Sequence, residues 1–361
     1  MSEEALVDAP AVPGLPSEDE LPRAGFLKRA RGSTAFWLGL FIIFIAIGFG
    51  IASAIMHGSP VYLKVDNLLS IGLNASQVML LAIGMTFLIG AGHLDLSIGY
   101  SLILASVVAA KVMVAVGGTP EQVAAGQYPN LGLAIVLGVL TALLVGGLVG
   151  LINGLIVTRL RLSSFIVTLA TSGITYGIAL VLTSAANIAF IPDAIQEGFG
   201  GLKLLGFLPA PLALALLTAA VLWFILRRTR FGLWTLAIGS SREAAVRSGV
   251  PVERHTVRLF VLMGLLVGIA AVVDIARNAN TNVVGHQTDN LQAIAATVLG
   301  GTSLFGGIAS IGGSILGTLV PVMLQNGLVI MQVEPFYQFV IVGVILIAAV
   351  YFDQRRRERA T

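Results

Sequence analysis

The sequence predicts an all-α polytopic membrane protein: about ten transmembrane helices in two inverted five-helix halves, with broken or re-entrant segments. Three observations carry that expectation. Of 361 residues, 57% are hydrophobic and 11% charged, where about a quarter are charged in an ordinary globular domain. The apolar residues fall in blocks of roughly 20, the length that crosses a hydrocarbon core of about 30 Å. The Lys and Arg residues lie between those blocks, so the net charge of +3 is a topology signal and no nucleic-acid partner is expected. With no cysteine in the chain, disulfides, thiolate metal sites and cysteine nucleophiles are excluded.

Residues 1–33 form a Pro-rich, acidic tail ending in Arg23, Lys28, Arg29 and Arg31, too poor in apolar area to order itself. A basic run placed there, without a small-residue cleavage site, predicts a retained first span with a cytoplasmic N-terminus. The first half covers 34–184, with spans at about 34–56, 73–91, 94–116, 131–157 and 164–184. An outer loop, 185–208, leads to the second half, 209–353, with spans at about 209–226, 258–276, 290–305, 310–331 and 335–352. Between the first two of these lies 227–258, the one long basic interruption, read as a cytoplasmic docking loop where another protein pushes on the membrane part. A basic cytoplasmic tail, 354–361, closes the chain.

Counting charge tests this topology. The predicted inner segments hold 17 of the 21 Lys and Arg residues: four in the tail, Arg159 and Arg161, seven in 227–258 and four at the C-terminus. That matches the positive-inside rule with both termini cytoplasmic. A faint repeat joins the halves. Leu151-Ile152-Asn153-Gly154-Leu155 resembles Leu324-Gln325-Asn326-Gly327-Leu328, and Leu88-Ile89-Gly90 resembles Leu299-Gly300-Gly301. An odd number of spans per half requires the halves to be inverted.

Few residues bear chemistry. Gly90-Ala91-Gly92-His93-Leu94-Asp95-Leu96-Ser97-Ile98-Gly99 breaks an apolar run with glycines. Either it is a helix start capped by Asp95, or a broken helix beside a substrate path, where freed backbone groups must be satisfied by protein or water. Gly300-Gly301-Thr302-Ser303-Leu304-Phe305-Gly306-Gly307 lacks the lysine of a phosphate loop, so this chain is expected to bind no ATP itself. It reads as a second broken segment. Gly146, Gly150 and Gly154, Gly264 and Gly268, and Gly313 and Gly317 form small-residue ridges for close helix packing. Asp274 and Arg277, three apart, are expected to pair. No metal-ligand spacing and no nucleophile–base grouping is present, so no enzyme activity is expected. An ion-coupled carrier would need titrating intramembrane acids, and Asp95 is nearly alone. The candidate path residues are Thr86, Asp95, Ser97, Asn153, Thr168, Thr302 and Ser303, a polar set with few ionisable groups.

Gly84-Met85-Thr86-Phe87-Leu88-Ile89 followed by Leu94-Asp95-Leu96-Ser97-Ile98-Gly99 resembles the signature of ribose/xylose/galactose-type ABC transporter permeases. Gly150-Leu151-Ile152-Asn153-Gly154, Ser164-Phe165-Ile166-Val167-Thr168-Leu169, Arg228-Thr229-Arg230-Phe231-Gly232 and Ala293–Ser303 match further blocks in order, so the resemblance covers about residues 60–352. The chain departs from the family pattern at Ser163 or Ser164, where a proline is usual, at His93, where glycine often stands, and at Asp289, where glutamate is typical. The resemblance implies a homodimeric permease in the bacterial inner membrane, with ABC ATPase subunits carrying ATP and Mg below and a solute-binding protein above. It implies import of a monosaccharide or related polyol; a nucleoside or a branched-chain amino acid is the alternative. Glu243-Ala244-Ala245 with Gly249 resembles the cytoplasmic motif by which importer permeases grip their ATPase. The motif's Ile-x-Leu-Pro ending is absent, Leu259-Phe260-Val261-Leu262 standing there instead.

Overall fold

The computed structural model describes residues 34–334 together with 337, 338, 340–344, 347 and 351. The two predicted tails lie outside these residues, and the span expected at 335–352 lies partly outside them. The first half runs through α1 (Thr34–His57), α2 (Val65–Gly90), α3 (Ile98–Gly117), the short α4 (Pro120–Ala124), α5 (Leu131–Arg159) and α6 (Ser164–Thr183). A loop carrying a two-stranded hairpin, β1 (Lys203–Leu204) and β2 (Leu208–Pro209), follows. Then come α7 (Ala210–Arg228), α8 (Arg230–Ser240), α9 (Arg242–Arg247), α10 (Val252–Asn278), α11 (Asp289–Leu299) and α12 (Ile311–Ile330). Among the described residues, eight helices are long and apolar enough to cross a membrane: α1, α2, α3, α5, α6, α7, α10 and α12. The chain is an all-α, multi-pass membrane protein.

The span expected at 290–305 is helical over only part of its length. Its helix, α11, has 11 residues, about 16 Å at 1.5 Å per residue, half of a hydrocarbon core. Hydropathy continues past Leu299, but the backbone does not: Gly301, Gly306 and Gly307 all take positive φ, a region open to glycine and costly for other residues. Ser310 restarts the chain as α12 by accepting from the Gly313 amide at 3.1 Å.

α2 and α10 form the centre of the bundle, while α1, α5, α6 and α7 turn residues such as Phe44, Ile55, Val181 and Leu217 outward. The predicted glycine ridges meet one another. A Cβ on Gly146 would strike the Gly264 carbonyl, and one on Gly150 the Phe260 carbonyl, so α5 and α10 touch backbone to backbone. Gly317 packs in the same way on the Ala296 carbonyl, joining α12 to α11. Lipid gives no hydrophobic drive between helices, so this close approach is what holds them.

Helix directions qualify the repeat. α2 is antiparallel to α12, because Thr86 meets Ser314 and Asn67 meets Asn326. α5 and α12 therefore run oppositely if α5 is parallel to α2, and it is: both are antiparallel to α10, α5 through Ala142–Gly268 and Gly154–Val257, α2 through Gln77–Arg277 and Gly84–Met263. This is what inverted halves require of the Asn-Gly-Leu pair. α2 and α11 instead run the same way, Gln77 meeting Asp289 and Ala82 meeting Thr297. The second resemblance is thus a parallel one. It extends from Ala82-Ile83, Thr86, Leu88 and Gly90 matching Ala293-Ile294, Thr297, Leu299 and Gly301, to Ser97-Ile98-Gly99 and Ser101 matching Ser310-Ile311-Gly312 and Ser314. Each copy is a helix, a glycine break and a new helix.

Candidate functional site

Four places concern function: the basic stretch, the two breaks, and a polar cavity at the far end of α10.

In the basic stretch, α8 ends at Ser240, and Ser241 starts α9 by accepting from the Ala244 amide at 3.2 Å. Gly249, at φ +78°, closes it. The Gly249 amide donates to Val246 O and the Val250 amide to Ala245 O, both at 3.0 Å, which is the Schellman pairing of a left-handed glycine cap. The spacing of Ala245 and Gly249 is therefore local chemistry: Ala245 is buried against the bundle and the glycine turns the chain. Glu243, Val246 and Arg247 face outward, and Glu243 meets Arg247 at 3.4 Å with both side chains more than four-fifths exposed. An ion pair so exposed adds little stability, so α9 is a capped, charged knob held by its ends.

The end of α8 touches both breaks. A Cβ on Gly239 would strike Gly90 O and Gly307 N, and Gly307 N itself donates to Gly90 O at 3.0 Å. Three glycines thus bring the end of α2, the end of α8 and the 300–310 turn into backbone contact directly before α9.

The first break is stapled by side chains. Asp95 Oδ1 accepts from the Ser97 amide at 2.8 Å and its hydroxyl at 2.6 Å. Asn153 on α5 donates to Ser97 Oγ at 3.1 Å and accepts from Thr171 on α6 at 2.6 Å. Thr168 accepts from the Leu96 amide at 3.0 Å. The N-cap position belongs to Ser97, not Asp95, and Asp95 closes a turn just outside the helix. In the second break, Thr302 accepts from the Ser310 amide at 3.1 Å and Ser303 from the Phe305 amide at 3.3 Å. The structure therefore gathers Asp95, Ser97, Asn153 and Thr168 in one buried cluster and Thr302 with Ser303 in another. Thr86 stands apart, 2.7 Å from Ser314.

None of those seven residues lines the polar cavity. It holds about 470 Å³ between α2, α10, α11 and α12, at the end of α10 opposite α9. Asp274 and Arg277, expected to pair, do not bond. Arg277 reaches across to Asn74 and Gln77 on α2, while Asp274 faces His286 at 3.2 Å and accepts from Asn278 at 2.9 Å. The i, i+3 rule failed because better-placed partners arrive from the 279–288 loop and α2. His286 Nδ1 also lies 2.9 Å from Asp289, which accepts from Gln77 at 2.9 Å. Burial alone lowers the His286 pKa, but two carboxylates outweigh it and push it up to about 10, so the ring is a cation at neutral pH. Arg277, His286, Asp274 and Asp289 then balance: two positive charges against two negative. Sequence reading missed the grouping of Gln77, His286 and Asp289 because Gln77 lies more than 200 positions from the other two. The one signal was polar residues inside otherwise apolar runs. Among the described residues, no group of three or more His, Asp or Glu side chains is arranged to hold a metal ion.

Eight helices able to cross a membrane among the described residues, two glycine breaks and a polar cavity fit a membrane permease. The family model of the branched-chain amino acid transport system / permease component matches residues 67–350, and the chain belongs to that family. It is 36% identical over 298 residues to the D-allose transport system permease protein of Escherichia coli, covering 82% of this chain and 86% of that protein. It is 35% identical over 321 residues to the ribose import permease protein of Bacillus subtilis, covering 89% and 92%. It is 34% identical over 300 residues to the L-arabinose ABC transporter permease protein of Azospirillum brasilense, covering 83% of each. No solved structure matches the chain.

Proposed function

We propose that this chain is the membrane-spanning permease subunit of an ATP-driven importer for a monosaccharide or a related polyol. The observation that carries this reading is the agreement of full-length relatives: those named for allose, ribose and arabinose each align over more than four-fifths of both chains. On this reading the chain performs no catalysis. ATP and Mg sit on a separate ABC ATPase, and an extracytoplasmic binding protein delivers the sugar. Two copies of the permease surround one path in the bacterial cell membrane. The positive-inside count supports a cytoplasmic position for both termini and for 227–258.

The docking assignment for Glu243, Ala244, Ala245 and Gly249 is supported by α9 being rigidly capped, charged and exposed, and by its position on the glycine contact that joins both breaks. ATP binding shifts the permease between inward and outward access only if the ATPase grips α9 differently in the two states. Asp95, Ser97, Asn153 and Thr168 then hold the first break in shape, and Thr302 and Ser303 the second, beside the path.

The family description favours one second reading, a branched-chain amino acid as substrate. Against it stands the cavity lining, which is amide and charge rather than the apolar surface that leucine or valine side chains would need. Uptake by proteoliposomes carrying the permease, its ATPase and its binding protein decides between them. ATP-dependent accumulation of D-ribose, D-allose or L-arabinose supports the sugar reading, and accumulation of L-leucine alone overturns it.

A further inference from the structure

Importers of this kind can rely on the binding protein for selectivity, which leaves open whether the permease holds its cargo at all. The cavity at the far end of α10 bears on that question. About 470 Å³ is within the roughly 300–1,000 Å³ range of small-molecule sites. Its lining is unusual for such a site, with few apolar side chains and no aromatic ring. The four charges cancel, so it selects neither an anion nor a cation by net field. What remains is hydrogen-bonding capacity that the protein has not used. Asp274 and His286 are 1% and 7% exposed, yet Asp274 Oδ2 and His286 Nε2 face each other without hydrogen-bond geometry. Gln292 on α11, half-buried, and Gln325 on α12, exposed, line the same cavity with side chains that have no hydrogen-bond partner among the described residues, so the buried unpaired atoms are those of Asp274 and His286. Buried polar atoms left unpaired cost free energy, so a ligand or water that pairs them is favoured.

We infer that this cavity is a low-affinity sugar site carried by the permease itself, where Gln77, Gln292, Gln325 and the Asp274–His286 pair exchange hydrogen bonds with a neutral polyhydroxyl ligand. The inference rests on the monosaccharide reading above. Amides and a carboxylate–imidazolium pair offer donors and acceptors side by side, the combination a ring of hydroxyls needs. A ligand with one polar end and an apolar tail would leave most of the lining unpaired. The missing aromatic platform keeps binding weak, which suits a transit site that must release what it takes. With α10 27 residues long, the site lies about 40 Å from α9, at the face where a delivering protein would dock.

The test uses the intact importer, permease with its ATPase, in lipid nanodiscs without binding protein. Saturation-transfer difference NMR with D-ribose, D-allose, L-arabinose and L-leucine reports weak binding directly. One of the sugars should give a saturable signal in the millimolar range, and Gln292→Leu with Gln325→Leu should weaken it at least fivefold. Neither glutamine supports another side chain, so the double variant should keep its thermal stability. Gln77→Leu, deeper in the cavity, should weaken binding further. The same sugar lacking one hydroxyl should lose at least as much, because a site built on hydroxyl pairing rejects analogues without it. A sugar signal unchanged in both variants overturns the inference, as does L-leucine giving the stronger signal. Uptake by the wild-type importer separates the two readings. Sugar uptake without variant-sensitive binding sinks this site and leaves the importer standing, whereas no uptake of any of the three sugars sinks the importer reading with it.

Discussion

The two breaks share a plan and differ in what holds them. The 91–97 break is tied by buried side chains to α5 and α6, through Ser97–Asn153–Thr171 and Leu96–Thr168. The 300–310 break leans on glycine backbone, with Gly306 and Gly307 against Gly239 and Ser240, while Phe305 stands 94% exposed at its tip. Side-chain staples fix a segment to the framework. Backbone contact through glycines lets one segment follow another. On the docking reading proposed above, the first break is the one tied to the framework by side chains, and the second is the one that a movement of α8 and α9 would displace.

The largest effect should come from breaking the glycine contact. Gly239→Val places a side chain where Gly90 O and Gly307 N now sit, and overpacking of this kind costs about 1–3 kcal/mol. Uptake should fall at least tenfold while the protein still inserts. Near-normal uptake would mean that the glycine contact relays nothing. Glu243→Lys, on the knob itself, should uncouple ATP hydrolysis from uptake and leave thermal stability unchanged, since its ion pair is exposed. Full coupling in that variant would remove α9 from the docking face.

In the first break the effect should be on stability. Asn153→Leu removes one partner each from Ser97 and Thr171, whose hydroxyls keep Asp95 and the Val167 carbonyl, so the loss is about 0.5–1.5 kcal/mol for each bond. It should lower the melting temperature more than Thr302→Val, which removes one bond in the second break. The reverse order would make the second break the fixed one.

The smallest prediction concerns the polar cavity. The folded pKa of His286, about 10, stands above the ordinary value near 6.5. Its stabilising contribution is thus full below about pH 6.5 and is lost as pH rises through the folded value. Melting temperature should decline on the alkaline side between neutrality and about pH 10, and His286→Gln should flatten that decline. An unchanged slope in the variant would deny that His286 is charged.

Much of the fold was readable because its causes are local. Blocks of apolar residues marked the eight crossing helices among the described residues, and glycine runs marked both breaks. Hydropathy could not show that α11 stops at Leu299, because the residues beyond it stay apolar while the backbone turns. The cavity was illegible for a different reason. Gln77, Asp274, His286 and Asp289 are unremarkable alone, and only tertiary packing links them in a chain of contacts of 3.2 Å or less through His286. The expected Asp274–Arg277 pair followed a rule for isolated helices, and neighbours from α2 and the 279–288 loop displaced it. Conversely, the seven polar residues picked from the sequence proved to be bonded to protein, four of them around one break.

The most direct test of the whole account is transport by the reconstituted complex. Proteoliposomes containing this permease, its ATPase and its binding protein should accumulate one of D-ribose, D-allose or L-arabinose only when ATP is supplied, and a protonophore should leave the rate unchanged. Accumulation that persists without the ATPase and collapses with the proton gradient would contradict it.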